Sequence, residues 1–106
     1  MVYEGTIQNY DELVNTGYAV VDFYGTHCGP CKYLAPFYSD ASNDYAMLRF
    51  IKVNTDQQPE LAERFHVDAV PTLLYYRDGQ VFFTSLGGMD REALDKKLAR
   101  LLYSAE

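Results

Sequence analysis

An α/β fold with a mixed sheet is predicted by three features of the 106-residue chain. Residues 18–24 (Tyr-Ala-Val-Val-Asp-Phe-Tyr) form an almost continuous apolar run. Such a run suits a central strand covered on both faces, as in a parallel sheet with helices on either side. Stretches of strand length alternate with amphipathic stretches of helical period along the chain. Finally, Asp78-Gly79 sits between two β-rich runs, which is the pattern of a two-residue hairpin, so one strand pair must be antiparallel.

The elements follow in order. Val2–Ile7 is read as the first strand. Asn9 with Glu12 has the form of a capping box opening a helix that Gly17 stops. After the central strand, a second helix starts near Cys28. Cys31, Leu34, Tyr38, Ala41 and Tyr45 recur at i, i+3, i+7, i+10 and i+14, one apolar stripe, and Pro36 within it predicts a kink. Leu48–Asn54 is the next strand. Pro59 suits the first turn of a short third helix carrying Leu61, Ala62 and Phe65. Val70-Pro71-Thr72 leads into the strand Leu73–Tyr76, and Asp78-Gly79 turns the chain into Val81–Leu86. Gly87-Gly88 then break it, and Asp90 caps a last helix with Leu94, Leu98, Leu101 and Leu102 on one face. The order β-α-β-α-β-α-β-β-α contains no repeat, linker or low-complexity segment, and its length suits one domain over residues 1–106.

Composition narrows the function. Hydrophobic content of 48% and charged content of 23% fit a soluble globular domain and exclude disorder, collagen and coiled coil. Nine Lys and Arg against fifteen Asp and Glu leave a net charge of −6 with no basic cluster, which argues against nucleic acid or an anionic membrane surface as partner. No apolar run approaches the roughly 20 residues of a membrane span. The first residues lack the basic and apolar regions of a signal peptide. A cytoplasmic location is expected.

The chain has two cysteines, in the sequence Cys28-Gly29-Pro30-Cys31. As a staple they would contribute little: closing a loop of about four residues is worth about 2 kcal/mol, against about 4–5 for a loop spanning a whole domain. As a zinc site they supply two of four ligands, and His27 and His66 do not fall in a ligand spacing that completes the set. Thiol–disulfide chemistry remains. The pair lies between a buried strand and the first turn of a helix, where unpaired N–H groups and the helix dipole favour an anion. A thiolate at Cys28 gains from this, which lowers its pKa. Cys31, one turn further in, lies deeper on the apolar stripe. The expected division is an exposed nucleophile and a buried resolving thiol. Gly29 permits close approach of a partner backbone, and Pro30 sits where its missing donor costs little.

At this point the residues resemble a known family. The stretch Val20-Val21-Asp22-Phe23-Tyr24-Gly25-Thr26-His27-Cys28-Gly29-Pro30-Cys31-Lys32 is similar to the active-site signature of the thioredoxins. The likeness continues through Pro36, Lys52-Val53-Asn54-Thr55-Asp56, Val70-Pro71-Thr72, the hairpin and Gly87, in family order along nearly the whole chain. The resemblance implies a three-layer sandwich, a mixed five-stranded sheet flanked by four helices. It also implies a protein-disulfide reductase that acts on disulfide-containing client proteins and is recharged by a thioredoxin reductase. No cofactor or metal is called for, and a monomer is expected. By position, Cys28 attacks the client disulfide and Cys31 resolves the mixed disulfide, leaving Cys28 and Cys31 oxidised.

Other residues carry two readings each. Asp22 is either a solvent-facing residue on an edge strand or a buried carboxylate with a raised pKa, which in the family takes the proton from the resolving thiol. Lys52 is either a snorkelling surface lysine or the family's partial offset to that buried charge. Pro71 either starts a strand in the trans form or, as the resemblance implies, follows a cis bond that leaves Val70 free to pair with an extended substrate. Gly87 matches the glycine that lets substrate backbone lie near the cysteines. Two positions depart from the family pattern. His27 and Tyr24 stand where tryptophan is usual, and the chain has no tryptophan. A protonated imidazole beside Cys28 favours its thiolate and makes the pair more oxidising; a solvated His27 has no effect. The alternatives to a general reductase are therefore a more oxidising or client-dedicated relative and, in another class, a non-catalytic partner subunit.

Overall fold

Five strands and four helices follow one another in the computed structural model, which describes residues 1–106. They are β1 (Val2–Glu4), α1 (Tyr10–Val14), β2 (Tyr18–Tyr24), α2 (Gly29–Ser42), β3 (Leu48–Asn54), α3 (Pro59–Arg64), β4 (Thr72–Arg77), β5 (Gln80–Leu86) and α4 (Arg91–Tyr103). The sheet order is β1-β3-β2-β4-β5. β3 runs parallel to both β1 and β2, whereas β4 is antiparallel to β2 and β5. The apolar run 18–24 is thus the middle strand, which explains why it lacks the polar alternation of a half-exposed one.

Helices cover both faces. Val20, Phe50 and Leu73 pack against Leu34, Tyr38 and Ala41 of α2 and Leu94, Leu98 and Leu101 of α4. On the other face Ala19, Val21, Phe23, Ile51 and Val53 meet Tyr10 and Val14 of α1 and Leu61 of α3. Alternation along β2 therefore puts Asp22 on the α2 side with Val20. α2 runs unbroken through Pro36 to Ser42. Tyr45, counted in its stripe, lies beyond the helix end, where its ring packs near Phe50 and its hydroxyl donates to Asp95 Oδ1 at 2.9 Å.

Two local expectations need correction. β1 ends at Glu4 rather than Ile7. Gly5 N donates to Lys52 O (2.8 Å), but the next residues turn away into a loop. The capping box does not form: Asn9 makes no side-chain cap. Instead Asn9 Oδ1 accepts from Thr6 N (2.7 Å) and Nδ2 donates to Glu4 O (3.0 Å), so the side chain secures the loop behind it. The same groups that cap a helix serve a turn equally well. α1 is accordingly only five residues long. The hairpin and last helix form as expected. Asp78 (φ 46°) and Gly79 (φ 83°) are both left-handed, as a type I′ turn requires, and Asp90 Oδ1 accepts from Ala93 N at 2.9 Å.

Candidate active site

Three loops converge at the end of β2. The first carries the cysteines. Cys28 is the N-cap of α2, with extended backbone, and its Sγ accepts from Cys31 N at 3.2 Å. This is an orphan N–H of the first helical turn aimed at the sulfur. Cys28 and Cys31 are joined in a disulfide, with Cα atoms 5.3 Å apart. Cys28 is half-buried and Cys31 only 4% exposed, the outer and inner positions expected of the two sulfurs. Gly29 and Pro30 are exposed, and nothing lies within 4 Å of where a Gly29 side chain would start. His27 and Tyr33 flank the pair on the surface.

The second loop brings Val70 and Pro71, joined by a cis bond. Val70 O lies 3.7 Å from Cys28 Sγ, and the Val70 backbone pairs with no other backbone group. The third loop contributes Gly87, left-handed at φ 92°, whose N–H donates to Pro71 O at 2.9 Å. Open space lies beside Gly87. Gly88 is packed differently: a Cβ there would stand 2.8 Å from Pro30 O.

Beneath Cys31, Asp22 lies on the central strand and is 5% exposed, which removes the edge-strand reading. It is in register with Lys52 on β3 and Leu73 on β4. Asp22 Oδ1 has no hydrogen-bond partner. Burial pushes the carboxyl from 3.8 up to about 7, only partly opposed by the positive charge of Lys52. An open pocket of about 430 Å³ is lined by Asp22, Cys31, Lys32, Tyr24, Tyr38 and Lys52 among others. It connects the carboxyl to the inner sulfur and to solvent. Tyr38 closes its floor, its hydroxyl donating toward Ile51 O (2.6 Å) and Val20 O (2.9 Å). Burial holds that phenol protonated. Lys52 is partly exposed, with Nζ 3.6 Å from Glu4 Oε1 and 6.0 Å from the Tyr24 ring. The lysine thus reaches the surface while its charge bears on Asp22.

The geometry adds residues that sequence reasoning missed. Asp56 Oδ2 accepts from Thr26 N at 2.8 Å, so a carboxylate after β3 ties down the residue before His27. The Thr26 N–H and hydroxyl hold Asp56 below the usual carboxylate range. Asn54 supports it, accepting from the backbone N–H of Asp56 and Gln57 through Oδ1 (2.9 and 3.2 Å). A strand ending in Asn-Thr-Asp is a sequence signal for such a turn. Gly25 is also close-packed, 3.3 Å from Val70 Cγ2 and 3.6 Å from Cys28 Cβ at its would-be Cβ.

Comparison with known proteins gives the same picture. A family model described as thioredoxin matches residues 1–100. The thioredoxin of Staphylococcus haemolyticus is 35% identical over 98 residues, 92% of this chain and 94% of its own. That of Chlamydia trachomatis is 30% identical over 100 residues, 94% of this chain and 98% of its own. The crystal structure of Malassezia sympodialis thioredoxin superposes with a TM-score of 0.85 at 26% identity, covering 93% and 91% of the two chains. A Cys-x-x-Cys pair at the β2–α2 junction, this sheet order and these relatives agree, and the chain belongs to the thioredoxin family.

Proposed function

We propose that this chain, a thiol–disulfide oxidoreductase, reduces disulfides in client proteins in the cytoplasm and is recharged by a thioredoxin reductase. The observation that carries the reading is the position of the two sulfurs: Cys28 at the mouth of the helix, and Cys31 buried behind it. In the reduced protein, the helix N-terminus and the Cys31 N–H favour the Cys28 thiolate. That thiolate attacks one sulfur of a client disulfide. A mixed disulfide forms and the first client sulfur leaves as a thiolate, which water protonates. Cys31 then loses its proton to the Asp22 carboxylate through the shared pocket and attacks Cys28 Sγ. The second client thiolate departs. Two electrons have passed to the client, and Cys28 and Cys31 are left as the disulfide. Lys52 tempers the charge of Asp22, and Tyr24 walls the pocket beside it. The Val70 backbone, which pairs with no other backbone group, and the open edge at Gly87 suit an extended client segment, held by short strand addition opposite Cys28.

The chain should accelerate reduction of insulin disulfides by dithiothreitol, and Cys28→Ser should reduce that acceleration to background. Cys31→Ser should hold clients as mixed disulfides on Cys28. Absence of acceleration by the native chain would leave the non-catalytic subunit reading in its place. A thioredoxin reductase with NADPH should replace dithiothreitol.

One observation favours a more oxidising variant of this chemistry. His27 is exposed beside Cys28, where the charge of a protonated imidazole acts on its neighbours, the Asp56 carboxyl among them. A cation there stabilises the thiolate and hence the reduced form. His27→Trp should lower the reduction potential by roughly 30 mV, which corresponds to about 1.4 kcal/mol for two electrons. Equilibration with a glutathione buffer measures this, and an unmoved potential makes His27 a surface detail.

A further inference from the structure

Three charged side chains form one row across three strands. Glu4 is in register with Lys52, and Lys52 with Asp22, across the parallel β1, β3 and β2. Residues paired in register share a face, here the face packed by α2. Lys52 Nζ contacts Glu4 Oε1 at 3.6 Å, while Asp22 Oδ1 is left with no hydrogen-bond partner. The lysine's reach is thus divided between an exposed carboxylate on the edge strand and a buried one at the centre. We propose that Glu4 is a positioning residue for Asp22, holding the Lys52 ammonium toward the sheet edge so that the buried carboxyl stays available to take a proton.

The other groups facing Asp22 do not supply this control. From α2 come Cys31, Lys32 and the Tyr38 phenol, and from β4 the Tyr75 phenol, which burial pushes up to about 12. The phenols are neutral near pH 7. Lys32 is exposed at the pocket rim. Lys52 is the cation whose charge opposes the effect of burial on Asp22, and Glu4 is its ion-pair partner. As a contribution to stability an exposed pair of this kind is worth little. Its effect on Asp22 is larger, because that carboxyl is itself buried and the same displacement of charge acts on it through a lower effective dielectric.

The sign is the same by both routes. Without Glu4, Lys52 is free to lean toward Asp22, and one like charge is gone. Each favours the ionised form and lowers the Asp22 pKa. The inference rests on the reading of Asp22 as proton acceptor for its purpose, but its test reads Asp22 directly. Carboxyl ¹³C NMR titration of the oxidised protein should show Asp22 in Glu4→Gln titrating roughly half a pH unit lower than in the native chain. Glu4→Asp should retain part of the native value. In a Lys52→Met background, Glu4→Gln should produce a clearly smaller shift, because the effect passes through the lysine. An unshifted titration in Glu4→Gln, or an equal shift with and without Lys52, overturns the proposal. The companion measurement is client turnover against pH. If the NMR titration moves and the turnover profile does not, Glu4 keeps its role and Asp22 loses the proton-transfer step.

Discussion

Asp22→Asn should stabilise the protein by about 4 kcal/mol at pH 8 and leave its stability almost unchanged near pH 3. The carboxyl titrates at 3.8 when exposed and at about 7 when folded. Between those values the unfolded chain ionises first and binds fewer protons than the folded one, so native stability falls as pH rises through that window. The penalty levels off above about pH 7, where both states are ionised. Over the interval, at about 1.4 kcal/mol per pH unit, the accumulated cost is about 4 kcal/mol. Asparagine fills the same space without ever ionising. Denaturant unfolding of both proteins from pH 3 to 9 measures the difference. It should open between pH 4 and 7, and parallel curves would show that the carboxyl is not held protonated by burial.

The same substitution should slow the reaction. With Asp22 ionised, Cys31 has an acceptor for its proton inside the pocket. Without it, the proton must go directly to water, and loss of a positioned base costs about a hundredfold. Rapid-quench measurement of mixed-disulfide resolution should show a native rate rising with pH through an inflection near 7. In Asp22→Asn that inflection should be absent. A protein that is more stable and slower separates a functional carboxyl from a structural one, since a group kept for stability would change both in the same direction.

How much of this was legible before folding depends on the range of each interaction. A lone charge inside the run 18–24 already marked Asp22 as costly, because period and composition are local properties. The α2 stripe placed Cys31 inward of Cys28 for the same reason. The Asp78-Gly79 turn was readable from two residues, since few pairs tolerate two left-handed conformations in succession. Asn9 was misread because its amide serves a loop or a helix start equally well, and the choice is made by where Glu4 and Thr6 lie. The cis Val70–Pro71 bond and the part proposed for Gly87 came through family resemblance alone; nothing local distinguishes them. Asp56 escaped because Thr26, thirty residues earlier, becomes its neighbour only when β3 pairs with β2. The Glu4–Lys52–Asp22 row likewise exists only once parallel register is set. Charges at those positions look unrelated in the sequence.

The glycine pair after β5 gives the sharpest test of how tightly the three loops are packed. Gly88→Ala should lower stability by about 1–3 kcal/mol and client reduction by at least about tenfold. Gly88 has no left-handed backbone, so only space requires glycine there. Its added Cβ would stand 2.8 Å from Pro30 O and 3.3 Å from Pro30 Cβ. Pro30 O is backbone of the first turn of α2 and has no rotamer in which to escape. Relief must come from moving the Gly87-Gly88 segment, which is hydrogen-bonded to Pro71, or the turn that carries Cys28. Either motion disturbs the 3.7 Å approach of Val70 O to Cys28 Sγ. Gly87→Ala is destabilising for a different reason, strain at φ 92°, with empty space beside it. Gly29→Ala is the control: it is exposed, helical and unobstructed, so its stability should stay within about 0.5 kcal/mol of native. Thermal unfolding and insulin reduction on the three variants decide the matter, and a Gly88→Ala protein with native stability and turnover would mean that the cysteine loop yields to its neighbour at no cost.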